Sequence, residues 1–366
     1  MYTPHRADPA LLSGAPETHG NCGCIDVHTH IVPHDFPRYL GGVPDVPWPS
    51  MAAAQPCHRH VMVSGKVYRT VSHHAWDVQQ RVSDMDTAGI ERQVLSPMPE
   101  LLAYWMSPSD GAAMARYLNE TTATMVAAAP NRLVGLGAVP LQDVDRAIVE
   151  LDFAMHELGL SGVEIGGNVN GVPIGDARLR PFFEAAERWG AAIFVHPLRP
   201  VGLERLVGPA ALEQVLAFPG EIGLAAASMI TGGTLARLPR LRIAFSHGGG
   251  SLPILLHRLQ HAWETSAPLR DAIEIAPRDA ARTMYYDDLL YGADAIASVI
   301  RAMGPTQVMI GSDYPFAIMD KDAVARVADL DLHPEWVSLL RGRNAQRWLG
   351  LDESRRPPHT PEHAAG

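Results

Sequence analysis

The chain has 366 residues, of which 47% are hydrophobic and 19% are charged. This composition is typical of a globular protein with a large buried core, and it excludes disordered and collagen-like classes. Acidic residues outnumber basic residues by 40 to 30, so the surface repels phosphate backbones on average and we expect no nucleic-acid partner.

We also expect no membrane partner, because no apolar run approaches the ~18 residues of a membrane span. The N-terminal segment lacks the basic region followed by an apolar region that marks a signal peptide. We therefore expect a cytoplasmic location.

Eight short apolar or β-branched runs alternate with longer amphipathic stretches. The runs cover residues 24–28, 93–96, 133–139, 162–166, 192–196, 241–247, 284–287 and 308–313. The stretches include residues 77–90, 143–159, 178–190, 252–265 and 292–304, where apolar residues recur at helical spacing. This alternation predicts an α/β fold, a (β/α)8 TIM barrel.

We assign residues 24–350 to one barrel domain. Residues 34–72 are rich in Pro, Gly and His and are too long for an ordinary loop, so we predict a lid insertion after the first strand. Residues 1–23 form an N-terminal extension, and the polar, proline-rich residues 351–366 are predicted to be a disordered tail.

Metal-binding residue types recur at the ends of four strand runs. His28 and His30 lie two apart on an extended strand and so face the same side. His196, His247 and Asp313 end three other runs. Each alone is an ordinary structural residue, but together at the active-site end of a barrel they predict a catalytic metal with nitrogen and oxygen ligands.

Here the chain resembles a known family. The segments DVHTHIVP, GKVYRTV, AWDVQQRVSDMD, RLVGLGAVPLQ, FVHP, FSHGGGSLP and GSDYPF occur in an order similar to the amidohydrolase superfamily. Within it they resemble the 2-amino-3-carboxymuconate-6-semialdehyde decarboxylase family. The resemblance implies one Zn²⁺ per chain, with four ligands that correspond to His28, His30, His196 and Asp313.

The resemblance also implies a catalytic residue and two substrate-binding arginines. His247 corresponds to the general acid/base, a role that suits an imidazole, although spacing alone leaves open that it is a further ligand. Arg69 corresponds to an arginine of the lid, and Arg258 to one that reaches into the neighbouring subunit, so we expect a homodimer. Guanidinium binds carboxylates in bidentate fashion, whereas by residue type alone a surface ion pair is the default. Phe316 is either an aromatic wall of the pocket or a core residue.

Some features limit the comparison. The fourth run contains no lysine, so the carbamylated lysine that bridges two metals in related enzymes is excluded. Glu164 could substitute as a bridge, but we predict instead a strand carboxylate paired to an arginine. Leu198 stands where the family usually has tryptophan, and residues 199–210 and the lid segment also differ, so we expect a changed pocket wall.

These features predict a zinc-dependent, oxygen-independent decarboxylase of a small carboxylated muconate semialdehyde or a related aromatic acid. The alternative is a hydrolase or hydratase of the same scaffold, acting on a lactone or an unsaturated dicarboxylate. A non-catalytic protein of this fold is disfavoured because all five site residues are present.

Overall fold

A computed structural model describes residues 23–42 and 45–351. The predicted N-terminal extension and tail therefore lie outside the described residues, apart from one residue of each at their borders.

The described residues form thirteen strands. In chain order these are β1 (Ile25–Ile31), β2 (Ser50–Ala53), β3 (His58–Val63), β4 (Lys66–Ser72), β5 (Arg92–Pro97), β6 (Leu133–Gly137), β7 (Gly162–Gly166), β8 (Asn168–Val169), β9 (Val172–Pro173), β10 (Ala192–His196), β11 (Arg242–Phe245), β12 (Tyr285–Asp287) and β13 (Val308–Met309).

Eight of these strands form a parallel sheet in the order β1-β5-β6-β7-β10-β11-β12-β13. Its two ends meet, because the amide of Val27 donates to the carbonyl of Ile310 at 2.8 Å and that of His30 to Tyr314 at 2.7 Å. All eight predicted runs are strands of this sheet in chain order, which confirms the TIM barrel.

Helices cover the outside of the sheet. They are α1 (Val78–Ala88), α2 (Pro108–Ala128), α3 (Val144–Asp152), α4 (Arg180–Trp189), α5 (Phe218–Thr231), α6 (Thr234–Arg237), α7 (Leu252–Thr265), α8 (Ala267–Ala272), α9 (Pro277–Ala281), α10 (Ala293–Met303), α11 (Ala323–Ala328), α12 (Pro334–Ser338) and α13 (Asn344–Leu349). The five predicted amphipathic stretches correspond to α1, α3, α4, α7 and α10. In α1 the carboxylate of Asp77 accepts from two amides of the first turn, and Gly89 ends the helix with φ +70°.

A bulge in β1 orients His28 and His30, two of the predicted metal ligands. The pairing of β1 with β5 shifts by one residue between Asp26 and Thr29. Ile25 and Val27 belong to the apolar cluster inside the barrel, together with Phe194 and with Trp348 of α13. Because the extra residue reverses the alternation, His28 and His30 then face the barrel mouth from the same strand.

The predicted insertion folds as a small antiparallel sheet, in the order β2-β3-β4, and not as an irregular loop. Its strands are short and partly exposed, and β4 carries Arg69 to the edge of the central cavity. The movement of this sheet as a lid stays a prediction.

One helical stretch of the described chain, Glu213–Thr231, is long and apolar enough, by length and composition alone, to cross a membrane. Glu221 interrupts the stretch, so it is not a continuous apolar run, and the absence of a membrane partner stays a prediction. In the structure the stretch lies in the outer helical ring, where Ile222, Ala226 and Met229 are buried.

Candidate metal centre and active site

Four buried side chains converge at the mouth of the barrel. His28, His30, His196 and Asp313 each place one potential ligand atom within 4.8 Å of the others. The Nε2 atoms of His28 and His30 lie 3.1 Å apart. Oδ1 of Asp313 lies 3.2 Å from Nε2 of His30 and 3.7 Å from Nε2 of His28. The structure thus brings together the four predicted ligands.

These separations fit a tetrahedral metal ion. Ligand atoms about 2.0–2.1 Å from a tetrahedral zinc ion lie roughly 3.3 Å from one another, close to the observed spacing. Oδ1 of Asp313 is buried and accepts no well-aligned hydrogen bond from the described residues. A buried carboxylate oxygen without a donor is explained by a cation in the same position.

The Nδ1 atom of each of the three histidines forms a hydrogen bond with an acceptor oxygen. Nδ1 of His28 lies 2.7 Å from Oδ2 of Asp287, that of His30 lies 3.3 Å from the carbonyl of Pro97, and that of His196 lies 3.0 Å from the carbonyl of Pro197. Because all three partners are acceptors, each of these hydrogen bonds places a proton on Nδ1, so Nε2 is the ring nitrogen available to a metal once it is deprotonated. Burial also lowers the pKa of His196 well below its usual value, so this ring is neutral, as a ligand must be.

Asp287 links the metal group to the His247 loop, and the sequence analysis did not single it out. Its Oδ2 accepts from His28, and its Oδ1 accepts from the amide of Gly248 at 2.8 Å. Burial opposes protonation of His28, but the hydrogen bond to Asp287 and the surrounding carboxylates raise its pKa to about 9. The available signal was the position of Asp287 at the end of the seventh strand run.

Two further buried side chains form hydrogen bonds with the backbone of His28 and His30. The Asp26 carboxylate accepts from Ser312 Oγ at 2.6 Å and from the amide of His28 at 3.2 Å, which joins β1 to the segment that follows β13. The Arg81 guanidinium donates to the carbonyl of His30 at 2.7 Å and lies 4.6 Å from the ring centroid of Tyr314. The side chains of Asp26 and Arg81 thus fix the backbone that carries His28 and His30.

The predicted pairing of Glu164 with an arginine was wrong. Its Oε2 lies 3.6 Å from Nδ1 of His30, and neither oxygen finds a hydrogen-bond partner among the described residues. Burial raises the pKa of Glu164 to about 8, so the side chain is mostly protonated at neutral pH. A neutral carboxyl can be buried here without a cation, which removes the need for an arginine.

His247 lines the cavity above the metal group but is not part of it. Its ring centroid lies 5.5 Å from those of His28 and His196. Nδ1 lies 3.1 Å from Ser246 Oγ, which leaves Nε2 for other partners. Burial lowers the pKa of His247 to about 4, and the charge of His28 adds to this, so the ring is neutral at neutral pH.

Three glycines follow His247, and protein packing explains them. A Cβ atom would lie 2.8 Å from Leu290 at Gly248, 2.7 Å from Tyr286 at Gly249 and 2.0 Å from the carbonyl of Pro219 at Gly250. All three also have positive φ. The glycines therefore let the loop pack against its neighbours, which differs from a direct approach to substrate.

A cavity of about 460 Å³ opens above the metal group. Its lining includes His196, His247 and Asp313, together with the predicted substrate residues Arg69 and Phe316. The Phe316 ring stacks on His30 at 5.2 Å, and the Arg69 guanidinium lies 4.4 Å from the Phe316 centroid. Phe316 is therefore both a wall of the cavity and packed against the core.

Arg258 lies away from the cavity of its own chain. It is exposed on α7 and shares the outer face of the helix with Ile254, which is 82% exposed.

The chain matches the family described as amidohydrolase over residues 25–351. It belongs to this family. It is 35% identical over 333 residues to the 2-amino-3-carboxymuconate-6-semialdehyde decarboxylase of Dictyostelium discoideum, which covers 90% of this chain and 92% of the relative. It is 31% identical over 227 residues to the 6-methylsalicylic acid decarboxylase of Penicillium expansum, covering 59% of this chain and 67% of the relative.

Among solved structures, a dihydroxybenzoic acid decarboxylase from Polaromonas sp. JS666 superposes with a TM-score of 0.71 at 22% identity. The match covers 91% of this chain and 98% of that one, which was solved with bound manganese and the inhibitor 2-nitroresorcinol. The predicted superfamily, barrel fold and enzyme class, a metal-dependent carboxy-lyase of the amidohydrolase superfamily, are confirmed.

Proposed function

We propose that this protein is a zinc-dependent, oxygen-independent decarboxylase of a small carboxylated muconate semialdehyde or a related aromatic acid. The observation that carries the proposal is a four-ligand metal group that shares one cavity with His247 and Arg69. The names of the two curated relatives support decarboxylation over the hydrolase or hydratase alternative.

The donor set supports zinc as the native ion. Three imidazole nitrogens and one carboxylate oxygen suit zinc, whereas manganese favours oxygen-rich sites. A divalent ion held here would act as a Lewis acid toward an oxygen of the substrate.

The chain's own residues supply the binding and the proton. Arg69 pairs with a substrate carboxylate, and the Phe316 ring beneath it packs against the unsaturated part of the substrate. Neutral His247 first takes a proton at Nε2, either from an acidic group of the substrate, which leaves its anion, or from water, which leaves hydroxide. As the bond to the departing carboxylate breaks, CO₂ leaves, the electron pair stays on carbon, and His247 returns the proton to that carbon.

We further propose that the active unit is a homodimer in which Arg258 contributes to the partner's cavity. Ile254 and Arg258 lie four residues apart on one face of α7, and Leu255 beside them is also exposed. Val215 and Leu224, on the adjoining stretch that contains α5, are more than half exposed as well. Exposed apolar side chains on neighbouring elements are typical of a face that a second copy covers.

The experiment is a screen of candidate acids for CO₂ release in D₂O with the zinc-loaded protein. We expect CO₂ and a product with deuterium at the vacated carbon. His247→Ala should keep its zinc but lose turnover by ~10²- to 10⁴-fold, as expected for an acid/base. Loss of zinc in that variant would make His247 a ligand, and hydrolysis of lactones without CO₂ release would favour the alternative function.

A further inference from the structure

A second cavity, of about 240 Å³, adjoins the active-site cavity. We call it the side chamber. The two cavities share the walls Glu100 and Phe218, and the Phe218 ring lies 6.1 Å from the ring of the ligand His196. A group attached to a substrate above the metal group could therefore enter the chamber past Phe218.

The lining of the side chamber is mainly apolar. It comes from the insertion on one side and from the barrel mouth on the other, and includes Val63, Met98, Met106, Met114 and Leu198. Apolar walls of a cavity gain free energy when an apolar group replaces the water beside them. A mainly apolar cavity beside an active site is typical of a ligand subsite.

Charge on the chamber wall argues against an ionised occupant. The cation Arg199 packs over the ring of Trp105, with its Cζ 3.4 Å from the ring centroid. The carboxylates of Glu100 and Glu213 line the same chamber and offset the single positive charge. An anionic group would gain no net attraction there, and an apolar group would gain from burial.

We propose that the side chamber binds an uncharged, apolar substituent of the substrate, a few carbon atoms long, and that Leu198 sets the space available to it. The enzyme then prefers acids that carry such a substituent over the unsubstituted acid. This inference rests on the proposed function, because it assigns the substrate class of the same site.

The test compares 2-hydroxybenzoate with its four ring-propyl isomers. For each acid the ratio of kcat/KM, propyl acid to parent acid, is measured by CO₂ release. Because each buried methylene is worth roughly a factor of four in binding, at least one isomer should show a ratio of about ten or more. Leu198→Trp, which fills the chamber, should bring that ratio to about one.

Two variants guard against a general loss of fold or activity. Ile318→Trp places the same bulk in the active-site cavity outside the chamber, so it should lower both rates and keep the ratio. Leu198→Ala enlarges the chamber and should raise the ratio for a pentyl acid. Ratios near one for every isomer of the unmodified protein, or an equal loss of ratio in Ile318→Trp, would overturn the proposal.

Affinities of the same acids, measured by calorimetry, test the side-chamber proposal independently of turnover. If none of these acids releases CO₂ but a propyl acid binds at least tenfold more tightly than the parent, and Leu198→Trp abolishes that difference, the side chamber stands, and the decarboxylase proposal is decided by the screen of candidate acids. If CO₂ is released and neither rate nor affinity responds to the propyl group, the side-chamber proposal fails alone.

Discussion

At the scale of single residues, the Asp287 carboxylate contacts both the metal group and the loop that carries His247. Asp287 accepts from Nδ1 of His28 with one oxygen and from the amide of Gly248 with the other, so it orients a predicted metal ligand and the loop that carries His247. Carboxylates behind metal-binding histidines raise their basicity and fix their orientation.

We therefore predict that Asp287→Asn weakens zinc binding by ~10- to 100-fold, measured by competition with a chelator. The matched control is Glu150→Gln, which alters another buried carboxylate that is paired with Arg116 away from the metal group. Equal zinc affinity in Asp287→Asn and in the unmodified protein would contradict this role.

The convergence of His28, His30, His196 and Asp313 could be predicted from the sequence because each lies near the carboxyl end of a strand run, and a barrel brings these ends together. Asp287 carried the same signal, but its partner His28 lies 259 positions earlier, and only the fold shows that they meet. Glu164 was misjudged for the same reason, since the imidazole beside it comes from another strand. Pairings between distant residues depend on the three-dimensional arrangement and leave no local pattern.

At the scale of elements, the insertion sheet supplies the positive charge of the cavity. Arg69 on β4 lines the cavity, whereas Arg59 on β3 pairs with Asp35 at 2.9 Å. We predict that Arg69→Met raises KM for the acid substrate by roughly 10- to 100-fold, because a charge-assisted hydrogen bond is lost.

Steady-state kinetics of Arg69→Met beside Arg59→Met tests this prediction. The Arg59 variant removes a charge from the neighbouring strand and should change KM by less than about twofold, since exposed ion pairs contribute little. Similar KM values in the two variants would show that Arg69 does not bind the substrate carboxylate.

The barrel strands could be predicted because buried parallel strands are short continuous apolar runs. The insertion could be recognised by its length, but its sheet could not. Strands β2 to β4 are partly exposed and mix polar with apolar residues, so their pairing is visible only in the structure. The bulge in β1 was equally hidden, because pairing with β5 defines it.

At the scale of the whole molecule, the dimer proposal predicts complementation between two defective chains. Chains with Arg258→Ala and with His247→Ala are co-expressed with different tags, and the mixed dimer is isolated. One of its sites carries both defects while the other is intact. We expect CO₂ release at about half the rate of the unmodified dimer, well above either parent. A confirmed mixed dimer that is no more active than its parents would show that Arg258 does not act across the interface.

The central claim is that one metal ion, held by three histidines and Asp313, is needed for decarboxylation. The most direct measurement is a zinc titration of metal-free protein, with CO₂ release from an accepted acid as the readout and elemental analysis of the same samples. We predict no turnover without metal and a linear rise that reaches a plateau at one equivalent per chain. CO₂ release by protein shown to hold no metal, or a plateau at two equivalents, would contradict the claim.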